Sequence, residues 1–249
     1  MVGKALSIVV GDYRNKLYEK YVSAFKIQTG EMRDYAFSDR KLTPLLKPWV
    51  SGVSRDSQCL DLGCGHGNIL HALQTLGFHR LQGVDLSAEQ IAIARKEFPQ
   101  VEQMALTDKL QRAAAESYDL ITLFDVVEHL TKQELLDLFQ LIASRLAHRG
   151  VMIVHTPNGD SPFVGSVRYG DFTHETVLTP QSARSICTLF GLSAFEAKEH
   201  LGASASPLGL SRRFAWKVLR GVIRACHLIE TGTPGPSILT RNFAFKVSK

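Results

Sequence analysis

Short apolar runs alternate with segments of helical period along most of the chain, beginning near residue 57. Such runs indicate buried strands, and the periodic segments between them indicate amphipathic helices. The predicted strands are residues 58–62, 81–85, 101–105, 118–124, 151–155, 194–197 and 242–247. The predicted helices are residues 67–76, 88–98 and 132–148, and one that Thr179-Pro180 opens and Gly191 ends. Strands separated by single helices pair in parallel, so the pattern predicts an α/β fold with a Rossmann-like, doubly wound, seven-stranded sheet.

Segments without strand patterns flank this core. The predicted division is a helical N-terminal cap at 1–50, the α/β core at 51–200, a basic amphipathic helical insertion at 201–238 and the final strand at 239–249. The apolar positions at helical spacing in the cap are Tyr13, Leu17, Tyr18, Tyr21 and Phe25. Ligands of doubly wound sheets bind at the carboxyl ends of the strands, so candidate site residues are sought there.

The composition is that of a globular domain, since 45% of the 249 residues are hydrophobic and 21% are charged. No apolar stretch has the length of a membrane span, and the N-terminal residues lack the apolar core of a signal peptide. The cysteines are scattered without a CxxC pair, so we predict neither a zinc motif nor a redox motif and assign no metal ligands. We therefore expect a protein of the reducing cytoplasm.

The strongest motif follows the first predicted strand. Asp61, Gly63, Gly65 and Gly67 form a D-x-G-x-G-x-G sequence, in which glycines allow a sharp turn and a close approach of a ligand to the main chain. A dinucleotide loop needs a glycine at the position of Asn68, and no Walker lysine follows. Asp61 would repel a pyrophosphate but suits a cationic ligand. Asp85 ends the second strand, where an acid binds ribose hydroxyls in such folds.

Four ordered blocks of this sequence resemble the class I S-adenosylmethionine (SAM)-dependent methyltransferases. The blocks are LDLGCGHG (60–67), GVDLS (83–87), YDLITLFDVVEHL (118–130) and RGVMIVHTPN (149–158). The resemblance covers roughly residues 55–200 and implies SAM as cofactor. It also implies that the methionine part of SAM lies near Asp61, Gly63, Cys64 and Gly65, the ribose near Asp85 and Leu86, the adenine near Leu106 and Thr107, and Asp125 close to the cofactor.

Histidines near the strand ends are candidate general bases for a hydroxyl acceptor. His129 follows the fourth strand, His155 ends the fifth, and His174 lies in the loop that follows. His174 is the first candidate because Asp171 and Glu175 in the same loop could orient its ring, and His129 is the next. The loop also resembles a D-x-x-H run that shapes the substrate pocket of small-molecule methyltransferases, a role that this likeness extends to Asp171 and His174.

Several acceptor classes are disfavoured by the sequence. Phe124-Asp125-Val126-Val127 stands where DNA amino-methyltransferases carry an Asn/Asp-Pro-Pro-aromatic run, and no Pro-Cys nucleophile is present. No aromatic and basic stripe suited to stacking bases is visible, so nucleic acid is not an expected partner. We expect a small hydroxylated acceptor, with a sugar or glycan first and a quinone, phenol or natural product second. A SAM-binding scaffold or regulator without catalysis is the alternative of another class.

Residues 211–229 contain a strongly amphipathic pattern within the part of the chain that contributes most to its net charge of +5. On a helix, Phe214, Val218, Val222, Ala225 and Ile229 share one face, and Arg213, Lys217, Arg220 and Arg224 another. Three interpretations remain open: packing of the apolar face on the domain, contact with an anionic membrane at the inner face, and docking of a phosphate-bearing substrate. The tail loosely resembles methyltransferases of surface-polysaccharide clusters, whose acceptors are often lipid- or nucleotide-linked.

Overall fold

The computed structural model describes residues 35–200 and 206–249. Its strands are β1 Cys59–Leu62, β2 Leu81–Asp85, β3 Glu102–Gln103, β4 Tyr118–Phe124, β5 Leu146–Pro157, β6 Ser193–Glu199 and β7 Asn242–Ser248. Its α-helices are α1 Tyr35–Phe37, α2 Thr43–Leu46, α3 Asn68–Thr75, α4 Ala88–Ala94, α5 Leu106–Arg112, α6 Lys132–Arg145, α7 Gly165–Arg168, α8 Pro180–Leu189 and α9 Pro207–Thr231. A π-helical turn spans Ser38–Leu42 and a 3-10 turn spans Val127–His129. The predicted cap positions from Tyr13 to Phe25 lie outside the described residues.

All seven strands belong to one sheet of order β3-β2-β1-β4-β5-β7-β6, so the predicted seven-stranded α/β fold is confirmed. The pairs among β1 to β5 are parallel, whereas β7 runs antiparallel to both β5 and β6. The expectation of parallel pairing is therefore wrong for β7. Because β6 and β7 are antiparallel neighbours, their connection needs no crossover helix, and α9 is an insertion between them. The strand order reverses between β1 and β4, which places the expected ligand site at their carboxyl ends.

The sheet is buried on both faces by alternating side chains of the same strands. Leu60 and Leu62 of β1 pack in a core with α6 and α8, while Cys59 packs on the opposite side with α3 and α4. This alternation follows from the two-residue period of a strand. The apolar runs of the sequence are continuous because both faces are covered.

Three predicted helix starts are confirmed by their caps. The Ser87 side chain accepts a hydrogen bond from the Gln90 backbone, and Thr131 and Thr179 each begin a reciprocal capping box. Each such cap satisfies backbone N–H groups that a helix start would otherwise leave unpaired. Local sequence signals therefore determine where α4, α6 and α8 begin.

Several predicted boundaries are wrong. The helix expected to reach residue 148 ends at Arg145, because Leu146 is fully buried and pairs with Tyr118 as the start of β5. The strand expected at 101–105 contains only Glu102–Gln103, and α5 follows it unpredicted. The helix expected at 211–229 extends over Pro207–Thr231. Within the described ranges, no helix combines the length and apolar character that crossing a bilayer requires.

Candidate active site

The loop between β1 and α3 is shaped by glycines in the left-handed region. The φ angle is +77° at Gly63 and +52° at Gly65, where side chains are strained. A Cβ at Gly63 would lie 2.3 Å from Cγ2 of Val126, and one at Gly65 would lie 2.6 Å from Oε1 of Gln90. The glycines therefore let the loop pack closely against the end of β4 while its own main chain stays partly exposed.

Asp61, near the end of β1, is a buried carboxyl with one oxygen unpartnered. Its Oδ1 accepts a hydrogen bond of 2.7 Å from the Thr122 hydroxyl, and its Oδ2 is buried with no hydrogen-bond partner. Burial raises the pKa of Asp61 from 3.8 to about 7; the Thr122 hydrogen bond lowers this pKa and the charge of Asp85 raises it. The Asp61 carboxyl therefore suits a cationic ligand, because a positive group at Oδ2 would stabilise its ionised form.

Asp85, at the end of β2, connects the glycine loop to the start of α4. Its Oδ2 accepts from the backbone N–H of Gly65 at 2.9 Å, and its Oδ1 accepts from that of Ser87 at 2.8 Å. Asp85 therefore holds the glycine loop and the start of α4 together at the carboxyl end of β2.

The remaining predicted cofactor residues lie around the same strand ends. Leu86 is 40% exposed directly after β2, and the N–H of Met104 bonds to the carbonyl of Asp85, which brings the segment before α5 to this edge. Leu106 and Thr107 begin α5 there. Cys64 is buried in the glycine loop, and burial raises the pKa of its thiol far above the usual range. The thiol is therefore a packing group.

Asp125 follows β4 with a left-handed φ of +54°. Its Oδ1 lies 2.7 Å from Nδ1 of His155, and Nε2 of His155 lies 2.7 Å from Nδ1 of His200. Both ring nitrogens of His155 are thus engaged, so its role is to orient Asp125. Burial and the neighbouring His155 lower the pKa of His200 to about 4. The sequence analysis did not identify His200, since only folding brings it to the end of β5.

Glu128 lies in the 3-10 turn after β4 and is almost wholly buried, at 2% exposure. Its Oε2 accepts from the Thr156 hydroxyl at 3.3 Å, and its backbone carbonyl accepts from the N–H groups of Glu175 and Thr176. Burial and the charge of Asp125 raise the pKa of Glu128 well above the usual range. This carboxyl was not predicted as a site residue, and its only sequence signal is its position beside His129.

His129 is connected to Asp171 through a hydroxyl that the sequence analysis missed. Oγ1 of Thr173 lies 2.7 Å from Nδ1 of His129 and donates at 2.6 Å to Oδ1 of Asp171. Because that hydroxyl has one hydrogen, its oxygen accepts from a protonated Nδ1, which leaves Nε2 of His129 with its lone pair. Burial and the neighbouring His174 lower the pKa of His129 to about 4, so the ring is neutral near pH 7.

His174 stands against His129 with ring centroids 4.8 Å apart and planes at 67°. Its Nδ1 is buried without a hydrogen-bond partner. The structure thus brings together two of the three histidines that were candidate bases, the first candidate and the next. Asp171, expected to orient His174, makes its side-chain bonds to Thr173 and through it reaches His129.

The cofactor loop and this histidine pair meet at Val126. The methyl group of Val126 fills the space beneath Gly63, and the next three residues form the turn that carries Glu128 and His129. A ligand on the glycine loop would therefore lie one turn of chain from the imidazoles. The glycine loop and the turn that carries His129 therefore lie at the same edge of the sheet, after β1 and β4.

A family model described as a methyltransferase domain matches residues 32–199, more than half of the chain. The chain belongs to this methyltransferase family. Its cofactor is SAM, and the Rossmann-like sheet is the fold of the family. No curated protein matches this methyltransferase.

Solved structures with the same fold carry names that indicate more than one kind of acceptor. A SAM-dependent methyltransferase from Archaeoglobus fulgidus is 18% identical with a TM-score of 0.63, and the match covers 94% of this chain and 99% of that one. A possible histamine N-methyltransferase from Thermotoga maritima is 13% identical with a TM-score of 0.60, and the match covers 94% of this chain and 98% of that one. Phosphoethanolamine N-methyltransferase 2 from Haemonchus contortus, solved with SAM, is 16% identical with a TM-score of 0.54, and the match covers 83% of this chain and 51% of that one. At these identities the likeness shows the fold alone.

Replacing Asp61 by Asn should flatten part of the pH dependence of stability. With a pKa of about 7 in the folded state against 3.8, the folded protein holds a proton that the unfolded chain releases. The free energy of unfolding then falls as pH rises from about 4 to about 7, by up to roughly 1.4 kcal/mol per pH unit, and this contribution is absent from Asp61→Asn. Asn keeps an oxygen for the Thr122 hydroxyl.

Urea denaturation of both proteins across this pH range measures the effect. The free energy of unfolding of the wild type minus that of Asp61→Asn should decrease steadily with pH and level off above about pH 7. Asp56→Asn, at an exposed carboxylate, is the matched control for loss of one charge. A difference for Asp61→Asn that is constant with pH would contradict the assignment.

Proposed function

We propose that this methyltransferase methylates a hydroxyl of a small acceptor, a sugar or glycan in the first place and a quinone, phenol or natural product in the second. The observation that carries the proposal is the grouping of Glu128, His129 and His174 beside the glycine loop. A neutral hydroxyl is a weak nucleophile and gains from a group that takes its proton, whereas a neutral amine already offers a lone pair. A half-buried pair of imidazoles next to the cofactor loop suits a hydroxyl acceptor.

The glycine loop and two aspartates fit SAM. When bound, SAM supplies an electrophilic methyl group on a sulfonium. The unpartnered Oδ2 of Asp61 suits its ammonium group, and the carboxylate of Asp85, at the end of β2, suits the ribose hydroxyls. The other residues assigned to the cofactor are Gly63, Cys64 and Gly65 for the methionine part, Leu86 for the ribose, Leu106 and Thr107 for the adenine, and Asp125 beside it.

His174 is the first candidate to accept the proton of the acceptor, with His129 second. Asp171 supports His129 through a hydrogen-bond relay that runs from the Asp171 carboxylate through the Thr173 hydroxyl to Nδ1 of His129. The carboxylate at the far end of this relay stabilises positive charge that develops on the imidazole. His155 is not a candidate, since both of its ring nitrogens are bonded. A SAM-binding scaffold without catalysis would have no use for this pair of imidazoles beside the cofactor loop.

Exposed aromatic rings on the segment that carries Asp171 and His174 support a sugar or planar acceptor. Phe163, Tyr169 and Phe172 are 47%, 79% and 78% exposed. Binding sites for small organic ligands are lined mainly by apolar and aromatic side chains with a few polar groups between them. Phe172 lies between Asp171 and Thr173 in the chain, so aromatic surface and proton-transfer groups occur together.

Helix α9 supports a further proposal, about where this methyltransferase works. Only Gly209 of its residues is buried, and its half-buried residues Trp216, Arg220, Ile223 and His227 recur at helical spacing and mark the side that faces the protein. Trp216 lies near Phe163, with ring centroids 6.4 Å apart, and Arg220 pairs with Glu199 at 3.1 Å. Helix α9 thus packs beside the segment after β5, which carries Asp171 and His174.

The apolar face of α9 points away from the protein. Phe214, Val218, Val222 and Ile229 are 71%, 54%, 54% and 85% exposed. The interpretation that this face packs on the domain is therefore wrong for the described residues. At 100° per residue the face lies about opposite Trp216 and Ile223, which are the residues that contact the protein.

We propose that this face of α9 lies on an anionic lipid surface, where a lipid-linked acceptor would be held close to the site. Charge complementarity supports this occupant: Arg212, Arg213, Lys217 and Arg224 are exposed along the helix, and Glu230 is its one acidic residue. A broad apolar face with cations at its edges is typical of helices in the plane of a membrane interface. Each cation near an anionic surface contributes about 1 kcal/mol.

His174→Ala should lower kcat for methyl transfer about 10²–10⁴-fold if its ring takes the proton, because that is the usual contribution of a general base. SAM affinity should stay unchanged, since the substitution leaves the glycine loop intact. Formation of S-adenosylhomocysteine with a glycan or lipid-linked sugar extract as acceptor measures kcat, and calorimetric titration measures SAM affinity. His79→Ala, at an exposed ring bonded to Asp56, is the matched control. A loss of less than about threefold would exclude His174 as the base.

Reversing the charges on α9 should release the protein from anionic vesicles. Wild type should co-sediment with phosphatidylglycerol–phosphatidylcholine vesicles and not with phosphatidylcholine alone. Arg213→Glu together with Arg224→Glu should abolish this binding with Tm unaltered, because both side chains are exposed. Lys47→Glu with Lys96→Glu, exposed cations away from α9, is the control with the same change in charge.

Measurements on Phe214→Asp distinguish a lipid surface from two other possible partners of the apolar face, the rest of the chain and a second copy of it. It should reduce vesicle binding and leave Tm and the sedimentation coefficient unchanged. A wild type that stays in solution with both vesicles would overturn the proposal. A lower Tm in Phe214→Asp would mean that the face packs within the chain, and dissociation of a dimer would mean that a second copy covers it.

A further inference from the structure

Three side chains in the acceptor region present potential metal ligands to one point. The ligand atoms of Glu128, His129 and His174 all lie within 4.8 Å of one another. Two ligands at about 2.1 Å from one ion are at most about 4.2 Å apart, so small side-chain rotations would close the set around an ion. The carboxylate and His129 come from the turn after β4, and His174 comes from the loop after β5.

The hydrogen-bonding pattern around the two imidazoles resembles that of metal-bound histidines. The relay from Asp171 through Thr173 protonates Nδ1 of His129 and leaves Nε2 unprotonated. Metal-bound histidines are usually held in this way, with the second nitrogen donating toward a carboxylate, carbonyl or hydroxyl. Nδ1 of His174 is buried and has no hydrogen-bond partner, although a buried nitrogen of this kind is normally paired.

The burial of Glu128 also favours a bound cation. Its carboxyl is 2% exposed, and its Oε2 accepts a hydrogen bond from the Thr156 hydroxyl. A buried carboxylate is stable in its ionised form only with a paired positive charge or a metal. A divalent cation between this carboxylate and the two imidazoles would supply that charge.

We propose that Glu128, His129 and His174 bind one divalent cation such as Zn²⁺ or Mn²⁺. Two nitrogens and one oxygen favour such borderline metals over Mg²⁺ and Ca²⁺, which prefer oxygen ligands. Three protein ligands leave positions open, as in metal sites that act on a substrate. No metal ligands were predicted from the sequence, because the adjacent Glu128-His129 pair and the distant His174 do not form a short ligand motif such as CxxC.

The ion gives the proposed hydroxyl acceptor a direct route to activation, and this part rests on the proposed function. A hydroxyl oxygen bound at an open position has a lowered pKa, because the cation stabilises the alkoxide. With the ion bound, the two imidazoles act as ligands in place of bases. The proton then passes to water, the oxygen forms the new bond to the methyl carbon, and the carbon–sulfur bond breaks with its electron pair kept by sulfur. Adjacent hydroxyls of a sugar or catechol could occupy two open positions and fix which oxygen reacts.

Calorimetric titration of the EDTA-treated full chain with ZnCl₂ or MnCl₂, without SAM or acceptor, tests the site. We expect one ion per chain, with MgCl₂ binding more weakly. Glu128→Gln and His174→Ala should each weaken binding at least about tenfold, and Thr173→Val, which breaks the relay, by about 10–100-fold. His79→Ala is the control histidine, and circular dichroism and SAM affinity show that each variant is folded. If Glu128→Gln is unfolded, the test relies on His174→Ala, because a substitution at the half-buried His174 is less disruptive.

Absence of saturable binding, or equal affinity in wild type and His174→Ala, would overturn the metal site. The proposed function would still stand in that case if EDTA-treated protein methylates a hydroxyl at an undiminished rate, since the imidazoles would then act as bases without an ion. Tight binding that depends on Glu128 and His174 supports the site even if no hydroxyl acceptor is methylated.

Discussion

The contact between the ends of β1 and β4 is the constraint on which the site depends. The Thr122 hydroxyl bonds to Asp61, and Val126 occupies the space that a side chain at Gly63 would need. One junction therefore sets both the position of the glycine loop and the start of the turn that carries Glu128 and His129. The strand order also reverses here, and ligands of doubly wound sheets bind at the carboxyl ends of the strands at such a point.

Much of this framework is local enough to be predicted from sequence. Apolar runs identify the strands, the D-x-G-x-G-x-G loop identifies the cofactor site, and Ser87, Thr131 and Thr179 mark helix starts that the caps confirm. Element ends were less predictable where tertiary pairing decides them. Leu146 continues a helical pattern, yet the register with Tyr118 places it in a strand.

The parts that sequence did not predict are contacts between distant segments. Thr173 has no motif, and its importance arises because it stands between Asp171 and His129. His200 reaches His155 only through the pairing of β6 with β7. In α9 the pattern gave two faces but not their orientation. The structure turns the side with Trp216 and Ile223 inward and leaves the side with Phe214 and Ile229 exposed.

We propose that this methyltransferase activates its acceptor hydroxyl beside the glycine loop. The most direct test is mass spectrometry of glycan, lipid-linked and quinone fractions incubated with the purified protein and SAM that carries a trideuterated methyl group. We expect that a compound in one of these fractions gains one trideuteromethyl group on oxygen. Transfer to nitrogen or carbon alone, or tight SAM binding with no labelled product in any fraction, would contradict it.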